Sequence, residues 1–177
     1  MALRPWGGDA EQKHAALAIG RCHSGGGAVD YRNSGGWQAG DAQTMVVAFT
    51  DTGMTPNRVR DHESFAEYLA YSTDRGRTWT IHRTPAIRHR GRDPKLFWYA
   101  KGECWCIAVF DVDVQLRQRE RRSDPELRAA GLVDSRGIGH RIAFYRSDDL
   151  KVWTKTSELD GFFECPELVE LPLDGNR

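Results

Sequence analysis

The apolar positions of this chain come in short runs separated by turns, not at helical spacing. Thr44 to Thr50 (TMVVAFT) is β-branched and apolar throughout, which predicts a strand buried on both faces. Phe65 to Ser72 (FAEYLAYS) alternates loosely and predicts the next strand. Arg92-Asp93-Pro94 heads the apolar run Lys95-Leu96-Phe97-Trp98, and Phe163-Glu164-Cys165-Pro166 heads Glu167-Leu168-Val169. Both are strand-like, and each has an acidic residue one or two positions before a proline. Cys104 and Cys106 sit two apart on a further predicted strand, on one face but poorly placed to pair with each other. Glu11 to Ile19 reads as a short helix or strand, and Pro56 to Glu63 as a polar loop.

The turns carry more information than the strands. Ser72-Thr73-Asp74-Arg75-Gly76-Arg77-Thr78-Trp79 has the Ser-x-Asp-x-Gly-x-Thr-Trp pattern of an Asp-box, a β-hairpin device of propeller blades. Asp74 can cap the turn, Gly76 supplies a positive φ, and Trp79 plugs the next strand into the blade. The frame returns at Tyr145 to Thr154. Set against Tyr71 to Thr80 without gaps, it keeps the Tyr, one Asp, the Trp and the Thr. A Pro-x-Leu follows each copy, at Pro94 and Pro166. A repeat of this length built from strand-like segments predicts propeller blades, whose inner strands line one central funnel. Asp93 and Glu164 both start such strands and should face that funnel. Between the copies lies a charged insertion, about Asp111 to His140, with a helix start at Ser123-Asp124-Pro125-Glu126 and a stop at Gly131.

Composition changes this picture in a few places. Lys plus Arg and Asp plus Glu each number 25, so the net charge is zero and neither nucleic acid nor an anionic membrane is an expected partner. The 40% hydrophobic content and six Trp argue against disorder. At 177 residues the chain is short for five blades, which need about 250 residues. Two to three blades are therefore expected, with open edges that invite self-association. No apolar leader and no run of about 18 apolar residues is seen, so neither a signal peptide nor a membrane span is expected in the chain as it stands. The chain alone reads as cytoplasmic, and a longer parent as extracellular. Cys22, Cys104, Cys106 and Cys165 read as four buried thiols; a Cys/His zinc site is the alternative, without a CxxC pair to support it. No metal or other cofactor is expected.

The motifs RDPKLFW and FECPELVELP resemble two signature motifs of glycoside hydrolase family 32, which includes invertases, levanases and inulinases. The resemblance covers about His23 to Asn176. It implies an all-β, five-bladed β-propeller that cleaves β-fructosides with retention, with residues 1–177 as a partial glycosidase domain. Such enzymes use two carboxyl groups about 5–5.5 Å apart. By resemblance Glu164 is the general acid/base, in apolar surroundings that would raise its pKa. Asp93 is the carboxylate that holds sugar hydroxyls and stabilises the transition state, and Arg92 orients it. Ser24-Gly25-Gly26-Gly27-Ala28-Val29 resembles the family's Ser-Gly-Ser-Ala-Val segment, with Gly26 for its second serine. His23, Ser24, Trp37 and Cys165 are then the further sugar-binding candidates. The family's nucleophile motif, of Trp-Asn-Asp-Pro-Asn-Gly type, has no match, and Asp9 lacks its neighbours. Three readings stay open: a segment of a fructoside hydrolase, a fructosyl-binding module, and a structural Asp-box fragment.

Overall fold

The computed structural model of the chain describes residues 22–52, 65–113, 139–169 and 171. Nine strands follow in order: β1 (Cys22–Asp30), β2 (Thr44–Asp51), β3 (Ala66–Ser72), β4 (Thr80–Ile81), β5 (Ile87–Arg88), β6 (Arg92–Tyr99), β7 (Cys104–Val112), β8 (His140–Ser147) and β9 (Thr154–Asp160). There is no helix among the described residues, and none long and apolar enough to cross a membrane. β1 to β4 make one antiparallel sheet in sequence order, with β5 also on β3, and β6 to β9 make a second. This is the all-β, blade-by-blade order that the repeat predicts.

The strands at 44–50 and 65–72 appear as β2 and β3 within a residue. β3 is buried on both faces, not alternating, because Leu69 packs into one apolar cluster with Val46 and Leu96 while Ala66, Tyr68 and Ala70 pack into another with Phe49. The insertion expected at about 111–140 falls between β7, which ends at Val112, and β8, which starts at His140, and residues 114–138 of it lie outside the described residues. The helix expected from Ser123, Asp9, the 11–19 segment and the 56–63 loop lie outside the described residues. Glu164 to Val169 joins neither sheet. It runs beside β6, to which Glu167 is tied by an ion pair with Lys95.

The two sheets share one core. Val46, Leu69, Leu96, Trp105, Ile107 and Leu150 form a buried cluster drawn from both. β6 packs against β1 and β2, and β1 must come close for this to happen. A Cβ on Gly26 would stand 3.3 Å from Pro94 O, and one on Gly25 would stand 1.9 Å from Ala48 O. The glycine run therefore serves close packing of backbone on backbone.

Each blade closes its far end with an Asp-box. Asp74 Oδ1 accepts from the amides of Arg77 and Thr78, and Oδ2 from the Thr78 hydroxyl. The Thr78 hydroxyl and amide, with Ser72, hold its carboxyl well below the usual carboxylate range. In the second box Asp149 does this work, accepting from Lys151 N and Val152 N, while Asp148 pairs with Arg146 outside. The gapless alignment had set Asp148 against Asp74. The second box is one residue tighter: Leu150 holds a positive φ (62°) next to the Asp, as Arg75 (62°) does in the first, but no counterpart of Gly76 follows it. Its side chain is fully buried, which offsets the backbone strain.

At the opposite end a buried polar chain joins the blades. Thr50 on β2 and Glu67 on β3 are cross-strand partners with no exposed surface. The Thr50 hydroxyl donates to Glu67, with Oε2 at 3.0 Å and Oε1 at 3.2 Å. His89, in the link from β5 to β6, places Nε2 2.7 Å from Glu67 Oε1. Its Nδ1 faces Asp111 Oδ1 of β7 at 3.5 Å, long for a hydrogen bond but close for an ion pair. Arg141 of β8 then meets Asp111, Asp113 and Glu158 at 3.2–3.4 Å. Burial opposes charge on His89, but the carboxylates on either side outweigh it and lift its pKa from 6.5 to about 9. Burial raises the pKa of Glu67. For Asp111 burial also works upward, but His89, Val112 N–H and Arg141 hold it well below the usual range.

Two outcomes follow from this packing. Leu96→Ala empties a site in the shared core and is expected to cost about 2–5 kcal/mol, read as a lower urea midpoint at unchanged slope. A raised folded-state pKa for His89 means stability that is fully present below about pH 6.5 and lost as pH rises through about 9. Stability should fall across that window by on the order of 3 kcal/mol, read as a lower urea midpoint, and His89→Asn should flatten the fall.

Candidate functional site

The inner strand of each blade opens on an irregularity at the same end of the molecule. In β1 the register to β2 breaks between Cys22 and Gly25, and in β6 the register to β7 breaks between Arg92 and Lys95. A bulge bends its strand and re-aims one side chain. In β6 that residue is Asp93, with φ of 63°, a left-handed conformation unusual for a non-glycine residue. Its amide leaves the ladder of its own sheet and donates to Thr50 Oγ1 of the neighbouring blade at 2.9 Å. Glu164 and Cys165, with φ of 56° and 42°, are bent in the same way.

Arg92 joins the two acidic motifs. Its guanidinium meets Asp93 Oδ2 at 3.4 Å through Nε and pairs with Glu164 through Nη2. It lies against the rings of Phe110 and Phe163, at 5.4 and 5.8 Å from the centroids. Phe163 in turn packs edge-on to Phe110 at 5.1 Å and stacks on His140 at 4.8 Å. The aromatic wall fixes the guanidinium between two carboxylates.

The pairing runs rung by rung along β6. Arg92 meets Glu164, Asp93 meets Cys165, and Lys95 meets Glu167. The negative charge of Asp93 first, then slight desolvation and its hydrogen bond to Asp93, push the Cys165 thiol up. Asp93 therefore stands level with Cys165, and Glu164 with Arg92. The two acids are displaced by one residue, as the prolines at 94 and 166 imply, and are not strict equivalents. The surroundings of Glu164 also differ from the apolar ones expected. Phe163 is close, but the carboxylate is about a third exposed and faces a cation.

His23 and Ser24 lie in the bulge of β1 at this same end, exposed to solvent. Trp37 is not brought to them. β1 runs away from this end, and Trp37 follows it, stacked on Tyr71 at 4.5 Å beside the Asp-box turns, with Lys151 over its ring. Cys22 and Cys165 are exposed, Cys104 is buried and Cys106 is half-buried, so the expectation of four buried thiols fails for the two nearest the bulges. All four are free, and Cys104 Sγ and Cys106 Sγ lie 3.9 Å apart at the other end of the blade. Among the described residues no group of three or more His, Cys, Asp or Glu is placed to hold a metal ion.

Sequence reasoning missed Thr50, Glu67 and His89. A glutamate inside an otherwise apolar strand was the available signal, and its partner His89 lies 22 residues away.

The arrangement gathers one guanidinium, two carboxylates and two aromatic rings at one end of the inner strands.

No protein-family model matches the chain. Individual relatives do. A levanase of Bacillus subtilis (strain 168) is 33% identical over 170 residues, covering 89% of this chain and 20% of the relative. Invertase 2 of Saccharomyces cerevisiae is 29% identical over 163 residues, 85% of this chain and 25% of the relative. The crystal structure of an exo-inulinase from Aspergillus awamori superimposes with a TM-score of 0.61 at 25% identity, over 86% of this chain and 29% of that one. A fructofuranosidase from Schwanniomyces occidentalis, complexed with fructose, shares the fold at a TM-score of 0.60 and 23% identity, over 85% of this chain and 26% of that one. The chain thus spans between a fifth and three-tenths of the length of these relatives. The convergence of sequence, repeat and fold places it: the chain belongs to glycoside hydrolase family 32, and its two sheets are blades of that family's five-bladed propeller.

Proposed function

We propose that this chain supplies the acid/base side of a β-fructoside hydrolase site that works with retention. The observation that carries the proposal is Arg92, whose one guanidinium touches both Asp93 and Glu164 at the mouth of the inner strands. Glu164 protonates the glycosidic oxygen of the leaving group and later takes a proton from the attacking water. A cation in contact favours the ionised carboxylate. Arg92 therefore has to lean toward Asp93 when Glu164 carries its proton, and its two partners make that exchange short. Asp93 accepts hydrogen bonds from sugar hydroxyls and stabilises the positive charge that develops on the ring. Cys165, Ser24 and His23 line the same mouth and contact the sugar; Trp37, at the far end, is left out. Sucrose, levan and inulin are the substrate types, because the proteins this chain is similar to carry the names levanase, invertase and exo-inulinase.

A retaining mechanism needs a carboxylate nucleophile about 5–5.5 Å from the acid. The absence of the family's nucleophile motif from residues 1–177 favours a second reading, a fructosyl-binding module without turnover. Release of fructose from sucrose, levan and inulin by the purified chain separates the two. Hydrolysis that falls by 10²-fold or more in both Glu164→Gln and Asp93→Asn is the expected outcome, and it requires that another carboxylate of the chain take the nucleophile's place. Sugar binding without hydrolysis would establish the module instead, and neither binding nor hydrolysis would remove both.

A further inference from the structure

The buried chain behind Asp93 is more than a structural tie between blades. We propose that Thr50, Glu67 and His89 are positioning residues that set the carboxylate of Asp93 for the sugar; this rests on the fructoside reading above.

The geometry fixes the direction of each bond. Thr50 has one hydroxyl proton, and both Glu67 oxygens lie within 3.2 Å of its Oγ1. The proton goes to the carboxylate, which leaves the Thr50 lone pairs to accept from Asp93 N–H at 2.9 Å. His89 then holds the far side of Glu67 at 2.7 Å. The order is thus Asp93 amide, Thr50 hydroxyl, Glu67 carboxylate, His89 ring, with the last three almost wholly buried.

Burying a carboxylate in a strand is costly, and apolar side chains of similar volume hold sheets together as well or better. What apolar side chains could not supply is an acceptor for the one amide that the β6 bulge turns out of its ladder. Asp93 is held at a φ of 63°, which an L-residue adopts only when its surroundings over-determine it. Glu67 orients Thr50, Thr50 captures the amide, and the Asp93 side chain is left aimed at Arg92 and the mouth. None of the three needs to touch sugar; they act through the backbone of a residue that does.

Thr50→Val keeps the shape and removes the acceptor, and Thr50→Ser restores it. Two readouts are compared on the full chain: exchange of the Asp93 amide by NMR, and kcat and KM for release of fructose from sucrose. In Thr50→Val the Asp93 amide should exchange at least tenfold faster while the rest of β6 keeps its protection. Its kcat per folded molecule should fall 10- to 100-fold with KM within about threefold, and Thr50→Ser should recover both. Glu67→Ala should shift the same two readouts in the same direction. Thr50→Val with an unchanged Asp93 amide, or with kcat unchanged, overturns the proposal while the fructoside reading stands. A reference chain that releases no fructose sinks that reading and this inference with it. A general loss of protection across β6, with turnover per folded molecule unchanged, would mean a structural tie only.

Discussion

Everything at the mouth depends on one misdirected amide. The register of β6 breaks at Asp93, so its N–H cannot join its own sheet and crosses to Thr50 in the neighbouring blade. That bond ties the start of the second blade to the first. It also decides where the Asp93 carboxylate points, since a bulge re-aims the side chain it displaces. Behind it the polar chain through Glu67, His89, Asp111 and Arg141 reaches the outer strands of the second blade. In front of it Arg92, braced on Phe110 and Phe163, draws the next acidic motif alongside. Buried charge at the mouth and buried hydrocarbon in the middle have different tasks. Trp105, Leu96 and their neighbours give the sheets their cohesion, while the charges define a unique geometry where chemistry would occur.

The two ends of each blade are built on different logic. The far end is closed by Asp-boxes, in which a carboxylate satisfies the turn's own amides and is thereby used up. At the near end carboxylates face cations and a neighbouring strand, and part of their capacity is open to solvent. This contrast separates the acidic residues of the turns, whose oxygens are taken by backbone amides, from Asp93 and Glu164, which face a guanidinium.

What the sequence made legible was local. The strands at 44–50 and 65–72, the Asp-box at Asp74 and the blade repeat are written in contiguous residues, and the fold follows from them. The displacement within the second Asp-box was not legible, because a gapless alignment cannot see that a turn tightened by one residue hands the cap from Asp148 to Asp149. Trp37 illustrates a second limit. Its place in the sequence says that it follows β1, but not that β1 carries it to the far end, where Tyr71 takes its face. The surroundings of Glu164 were read from its apolar neighbours in sequence, whereas the partner that matters, Arg92, comes from 72 positions earlier and another motif. Glu67 was passed over for the same reason: its meaning lies in Thr50, His89 and Asp93, none of which is adjacent in the chain.

The account stands on the claim that sugar is bound at the bulged ends of the inner strands. The most direct measurement is to titrate the chain with a short β-fructoside and map the backbone amide shifts by NMR. The account predicts perturbations clustered at Ser24, Arg92, Asp93, Glu164 and Cys165. Shifts centred on Trp37, Tyr71 and the Asp-box turns, with the bulged ends silent, would contradict it.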